Sequence, residues 1–103
     1  MARRDVVISM SAYDDLDQML TYIVDASGFV RSAQAYIDRI LARCAVLGDT
    51  PEIGRPRPDL GEGLRQVPME SAVILYIVRP SDLYVVRIFN GGQDYETIMR
   101  GAD

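Results

Sequence analysis

The stretch from Ala72 to Phe89 constrains this chain most. Two runs, Ala72-Val73-Ile74-Leu75-Tyr76-Ile77-Val78 and Leu83-Tyr84-Val85-Val86-Arg87-Ile88-Phe89, flank the break Arg79-Pro80-Ser81-Asp82. β-Branched and aromatic residues dominate both runs, while proline, serine and aspartate favour a turn through fixed φ and local hydrogen bonds. The segment reads as a β-hairpin. Side chains alternate between the faces of a strand, which puts Val86 and Ile88 on one face and Val85, Arg87 and Phe89 on the other. Both faces are largely apolar, whereas a strand pair with one wet face alternates apolar and polar residues. Each face therefore needs a cover. Helices of the same chain are expected on one; the C-terminal tail, a second copy or a different protein are the candidates for the other.

The helices come first in the chain. Asp5 to Met10 reads as a short strand with Val6 and Ile8 on one face. Ser11 is the expected N-cap, with Asp14 three residues on to complete a capping box. The apolar stripe Tyr13, Leu16, Met19, Leu20, Ile23 and Val24 has the spacing of a helix buried on one side. The remainder of residues 12 to 27 holds Asp14, Asp15, Asp17 and Asp25 and no base, which is either a solvated face or a docking face for a basic partner. Gly28 suits a left-handed C-terminal position. A second helix follows from about Val30 to Leu47, striped by Ala33, Ile37, Ile40, Leu41, Cys44 and Leu47, with Gly48 as its cap. So short a link makes an antiparallel αα-hairpin. Cys44 lies within the stripe and reads as a small core residue.

Residues 49 to 63 hold three prolines and three glycines and can be neither helix nor central strand. Arg55 and Arg57 are stiffened there by flanking prolines, which presents them for binding at low entropic cost, unless they pair with Asp59, Glu62 or the acidic helix. Leu64 to Pro68 reads as a strand, with Arg65 and Val67 on the same face, and Met69-Glu70-Ser71 turns it into the hairpin. After Phe89, Asn90 to Asp94 forms a corner, and Tyr95 to Arg100 is a short helix or an extended piece whose Tyr95, Ile98 and Met99 can lie over the second sheet face. The expected fold is α+β, an antiparallel sheet of three to four strands packed on an N-terminal αα-hairpin. The order is β-α-α-β-β-β and a short C-terminal helix. A chain of 103 residues is expected to form one domain over 1–103.

Composition narrows the function. Fifteen acids stand against eleven basic residues, all arginine, for a net charge of −4. That balance disfavours broad binding to nucleic acid or an anionic membrane. No histidine is present and Cys44 is the only cysteine, so His-based triads, multi-cysteine zinc sites and intrachain disulfides are excluded. No metal or other cofactor is expected. The opening Met1-Ala2-Arg3-Arg4-Asp5 precedes only three apolar residues, too few for a secretory signal, and no run approaches the ~20 apolar residues of a membrane span. A cytoplasmic location is expected.

Taken together, these pieces resemble the small ParE-type toxins of the RelE/ParE superfamily in bacterial type II toxin–antitoxin systems. The resemblance rests on five pieces. They are the helix from Asp15-Leu16 to Tyr22-Ile23, the loop from Pro51 to Leu60, the strand Gly63-Leu64-Arg65, the run Val73-Ile74-Leu75-Tyr76, and the ending from Val86 to Tyr95. It implies a toxin neutralised by a small antitoxin, ParD-like, with a ribbon-helix-helix head and a tail that folds on the toxin in a hetero-oligomeric complex. The ParE branch poisons DNA gyrase, and the RelE branch cuts mRNA within the ribosome. The chain departs from the common pattern at Asn90, where many relatives carry histidine.

Physical chemistry favours the branch that makes and breaks no bonds. Attack by a ribose 2′-hydroxyl needs a proton acceptor, a proton donor and cations against the developing charge, and arginines supply only the last. Tyr95, Tyr76 and carboxylates are the remaining candidates, and a tyrosine of ordinary pKa ~10 requires strong activation. A non-enzymatic gyrase inhibitor is therefore expected. Arg65, Arg87, Asn90, Tyr95 and Arg100 would engage the target, helped by Arg55 and Arg57. An antitoxin would bind through Asp14, Asp17 and Asp25 and through the sheet face of Val85 and Phe89, as a strand or a helix laid in a groove. The alternatives are a RelE-type endonuclease, or a member that only binds antitoxin.

Overall fold

The computed structural model describes residues 3–101, so Met1 and Ala2 of the opening stretch lie outside the described residues. Its elements are β1 (Asp5–Ile8), α1 (Met10–Ser27), α2 (Val30–Leu47), β2 (Arg55–Pro56), β3 (Arg65–Met69), β4 (Ala72–Val78), β5 (Asp82–Asn90) and α3 (Tyr95–Met99). They form one sheet in the order β1-β5-β4-β3-β2. The fold is α+β as expected, with five strands where three to four were expected. All neighbours are antiparallel except β1, which pairs with β5 in parallel from Asp5↔Asp82 to Ile8↔Val85. The parallel pair arises because the helical hairpin carries the chain across the sheet between its first strand and the rest.

Helix α1 starts two residues earlier than its composition suggests. Ser9, not Ser11, is the N-cap: its extended backbone ends β1, and its Oγ accepts from the Ala12 N–H at 2.9 Å. The same hydroxyl donates to the Val86 carbonyl at 2.7 Å, so one side chain caps the helix and closes the end of the parallel pairing. Ala12, Leu16 and Met19 are the buried residues of α1, and Tyr13, at the edge of the expected stripe, is 54% exposed. Gly28 ends the helix at φ 74°, with its N–H on the Val24 carbonyl. Gly48 ends α2 for a different reason, since a Cβ there would run into the Arg4 carbonyl that the incoming strand brings close.

The decisive irregularity is in β5. Leu75 pairs with Arg87 and Tyr76 with Val85, so Val86 is an unpaired bulge residue. The bulge overturns the simple alternation: Leu83, Val85 and Ile88 face the helices, while Val86 and Phe89 face the other side. The helix side packs Ile74, Tyr76, Val85 and Ile88 against Ala12, Leu16, Ile37, Ile40 and Cys44. Burial pushes the Cys44 thiol up to about 12, so it is an inert core residue.

The second face is sealed by the chain itself. Leu60 and Leu64 of the proline-rich loop join Leu75 and Phe89 in a second buried cluster, with Tyr95 and Met99 of α3 packed on it. Of the covers expected, the C-terminal segment supplies part through Tyr95 and Met99 and the proline-rich loop supplies the rest, which corrects the expectation that Val85 and Phe89 offer an open face to another protein. The far edge is blunted too, because β2 is two residues long and Pro68 of β3 has no N–H to offer an added strand.

Candidate functional site

The arginines expected to face a target do not converge. Arg87 on β5 donates through Nε and Nη2 to both oxygens of Asp15, each at 2.8 Å, and its guanidinium stacks 4.7 Å from the Phe89 ring. Asp15 also accepts the Ile88 N–H at 3.0 Å. Past the bulge β5 has no strand neighbour on that edge, and the Asp15 carboxylate supplies the missing acceptor. Arg65 on β3 donates through Nη1 to the carbonyls of Glu52 and Gly54, at 3.1 and 2.8 Å, and so braces the loop. Arg55 is exposed on β2.

Arg57 is a structural residue, which corrects its place among the target-binding arginines. It is 6% exposed. Nε and Nη2 bind Asp59 at 3.0 and 2.9 Å, Nη1 binds Gln66, and Nη2 also reaches Glu96 of α3. Arg100 adds a bond of 3.0 Å to the same Asp59 carboxylate. This node ties the loop, β3 and α3 together, and its buried cation makes the loop arginine unavailable to a partner.

The C-terminal residues lie on one end of the molecule. Tyr95 stacks on Phe89 at 5.8 Å between ring centroids, and Asn90 holds the corner, its N–H on Gln93 Oε1 and its Oδ1 accepting from Gly92. Asp94 caps α3, accepting from the Thr97 N–H and hydroxyl. Val85 and Phe89 are both 0% exposed, so neither offers surface to an antitoxin. The bulge turns Val85 toward the helices, and Tyr95 closes over Phe89. Asp14, Asp17 and Asp25 are exposed on α1, as their positions suggested.

The structural roles of two side chains were not read from sequence. Asp15 looked like one helix acid among four, and Tyr76 was named only as a candidate for proton transfer. The Tyr76 phenol is fully buried and donates to the Pro51 carbonyl at 2.9 Å while accepting the Gly54 N–H at 2.8 Å. A Cβ at Gly54 would meet that hydroxyl at 2.5 Å, so glycine is required by close approach. A bulky polar side chain in the middle of an apolar strand, facing a Pro/Gly-rich loop, was the available signal.

Hydrogen bonds from arginine hold several carboxylates low. Arg57 keeps Asp59 well below the usual carboxylate range, Arg39 lowers Glu70, Arg79 lowers Asp82, and Thr97 lowers Asp94. A group depressed in the folded state stabilises above its unfolded value of ~4, and that contribution is lost as pH falls through the folded value. No histidine titrates between, and the Cys44 thiol is displaced upward. The melting temperature is therefore expected to be flat from about pH 5.5 to 8 and to fall below about pH 4. Calorimetry across that range checks it; a step near pH 6.5 would contradict this assignment.

With the geometry in hand, the comparisons are consistent with one another. Residues 6–95 match the family described as ParE toxin of type II toxin–antitoxin system, parDE. Toxin ParE3 of Caulobacter vibrioides is 32% identical over 77 residues, covering 75% of this chain and 76% of that protein. Among solved structures, the chromosomal ParDE toxin–antitoxin system of P. aeruginosa superposes with a TM-score of 0.75 at 20% identity, over 85% of this chain and 96% of that one. The toxin–antitoxin complex RelBE2 of Mycobacterium tuberculosis gives 0.58 at 17% identity, over 86% and 99%. These two likenesses support the fold. The helical hairpin, the loop-braced sheet and the matched span together place the protein: this chain belongs to the ParE toxin family of type II toxin–antitoxin systems.

Proposed function

We propose that this chain, as one domain over 1–103, is a toxin that acts by binding DNA gyrase, without cutting RNA. In this reading a ParD-like antitoxin with a ribbon-helix-helix head neutralises it in the cytoplasm. The observation that carries the reading is where the guanidinium groups are spent. Arg87 is taken by Asp15, Arg57 by Asp59 and Glu96, Arg65 by two carbonyls, and Arg100 by Asp59. A phosphoryl-transfer site needs free cations converging on one point, and these four are directed at the chain's own acceptors. The net charge of −4 argues the same way against a polyanionic substrate. Target contacts fall to the exposed Arg55 and to the surface that Arg65, Arg87, Asn90, Tyr95 and Arg100 keep in water despite their internal bonds, while Asp14, Asp17 and Asp25 are left for the antitoxin.

Two assays on the purified protein test the reading. Incubation with gyrase and plasmid is expected to trap cleaved DNA or suppress supercoiling at micromolar toxin, and primer extension on translated message is expected to find it intact. Cuts inside codons with gyrase unaffected would replace this reading with the RelE-type endonuclease. Normal growth on expression without antitoxin would point to a member that only binds antitoxin.

A further inference from the structure

The outer half of α1 combines exposed apolar side chains with acids. Helical spacing of 3.6 residues per turn puts Met10, Tyr13, Asp14, Asp17, Thr21, Tyr22 and Asp25 within about half of the circumference, opposite Ala12, Leu16 and Met19. Three of these are large apolar side chains left in water: Met10 is 81% exposed, Tyr13 54% and Tyr22 66%. Beside Tyr22 lies a shallow depression of about 380 Å³ lined by Asp14, Asp17, Gln18, Thr21 and Tyr22. Asp14, Asp17 and Asp25 make no salt bridge among the described residues, in contrast to Asp15, Asp49, Asp59 and Asp82, which each meet an arginine. A helix face that combines exposed aromatic rings with unpaired charge of one sign matches a surface that is both apolar and oppositely charged.

We propose that this face of α1 docks a basic amphipathic segment of the antitoxin. Aliphatic side chains of that segment would lie on Tyr13 and Tyr22, and its arginine or lysine residues would meet Asp14, Asp17 and Asp25. The proposal rests on the reading of the chain as an antitoxin-neutralised toxin, and it assigns the partner's chemistry and its place. Two other surfaces serve this purpose less well. The second sheet face is closed by Leu60, Leu64, Tyr95 and Met99, and the β3 edge carries Pro68. A second copy of the chain would bring the same acids against themselves.

The test uses the full chain and the ParD-like product of the reading frame beside its gene as the probe. Titration calorimetry is run on the wild type, on Asp14→Arg/Asp17→Arg/Asp25→Arg, and on Tyr22→Ala. The charge reversal is expected to weaken binding by roughly 100-fold and Tyr22→Ala by about 10-fold, with wild-type affinity falling as salt rises. All three acids are exposed, and an unchanged melting curve establishes that the variant is folded. Recovery of binding when arginines of the probe are changed to glutamate would support the pairing directly. Wild-type affinity in the folded triple variant would overturn the assignment of this face and leave the toxin reading intact. Failure of the probe to bind the wild-type chain would overturn both.

Discussion

Replacing Tyr76 by alanine is expected to cost about 4 kcal/mol of unfolding free energy, a large share of what a domain of this size possesses. The ring is fully buried in the helix-side core with Ile74, Val85 and Ile88 around it, so its loss leaves a cavity that rigid sheet neighbours cannot fill. The hydroxyl contributes separately. Tyr76→Phe keeps the ring but leaves the Gly54 N–H and the Pro51 carbonyl without their partner, at an expected cost of about 2 kcal/mol. The phenol's pKa is raised by burial, consistent with a group that acts here as a neutral donor and acceptor. Gly54→Ala should also be damaging in the wild type, because its methyl would collide with that oxygen and with ring carbons Cε1 and Cζ at 2.8 and 2.9 Å, so Tyr76→Phe is expected to relieve only part of the clash. Urea titration of the four variants, the double one included, measures these costs. A Tyr76→Phe loss under about 0.5 kcal/mol would mean that water reaches the loop groups and that the hydroxyl does not pin it.

Asp15→Ala is the second large effect, at about 2 to 3 kcal/mol. The carboxylate is 9% exposed and serves three donors, Nε and Nη2 of Arg87 and the Ile88 N–H, so its removal strands a guanidinium and a strand-edge amide together. The value sits below that of a fully buried pair because Arg87 keeps 29% of its side-chain surface in water and can be partly solvated. Asp15→Asn should recover part of the loss by keeping one acceptor for Ile88. A double-mutant cycle with Arg87→Ala is expected to show a coupling of at least about 1 kcal/mol. It also separates stability from target binding: if Arg87 meets gyrase directly, Arg87→Ala lowers gyrase inhibition beyond the fraction unfolded, whereas Asp15→Asn, which loosens the arginine, does not. Additive stabilities in the cycle would mean that the two side chains hold the strand independently.

Much of the fold was legible because it is written in local patterns. The hairpin runs of β-branched and aromatic residues became β4 and β5, the stripe from Ala33 to Leu47 became α2 with Cys44 inside, and Gly28 took its left-handed cap. The acidic outer face of α1 was legible for the same reason. Errors of one or two residues had larger consequences. Ser9 caps α1 where Ser11 was expected, Tyr13 at the edge of the apolar stripe lies in water, and a single bulge residue at Val86 moved Val85 and Val86 to opposite faces from those assigned by strict alternation. Neither feature is local: the Ser9 hydroxyl also reaches the Val86 carbonyl 77 positions away, and the bulge belongs to the pairing of β5 with β4.

The amino-acid order by itself determined the elements, the faces that repeat with a regular period, the poverty of proton-transfer groups and the surplus of acid on α1, since each depends on neighbours within a turn or two. Only the tertiary structure decided where the charges are spent. Arg87 meets an acid 72 positions away, and Arg57 one 39 positions away. It also decided that the second sheet face is covered by the proline-rich loop and α3 of the same chain. An arginine is equally able to bind a partner or its own fold, and the choice falls to whichever carboxylate the packing of distant segments brings within about 3 Å.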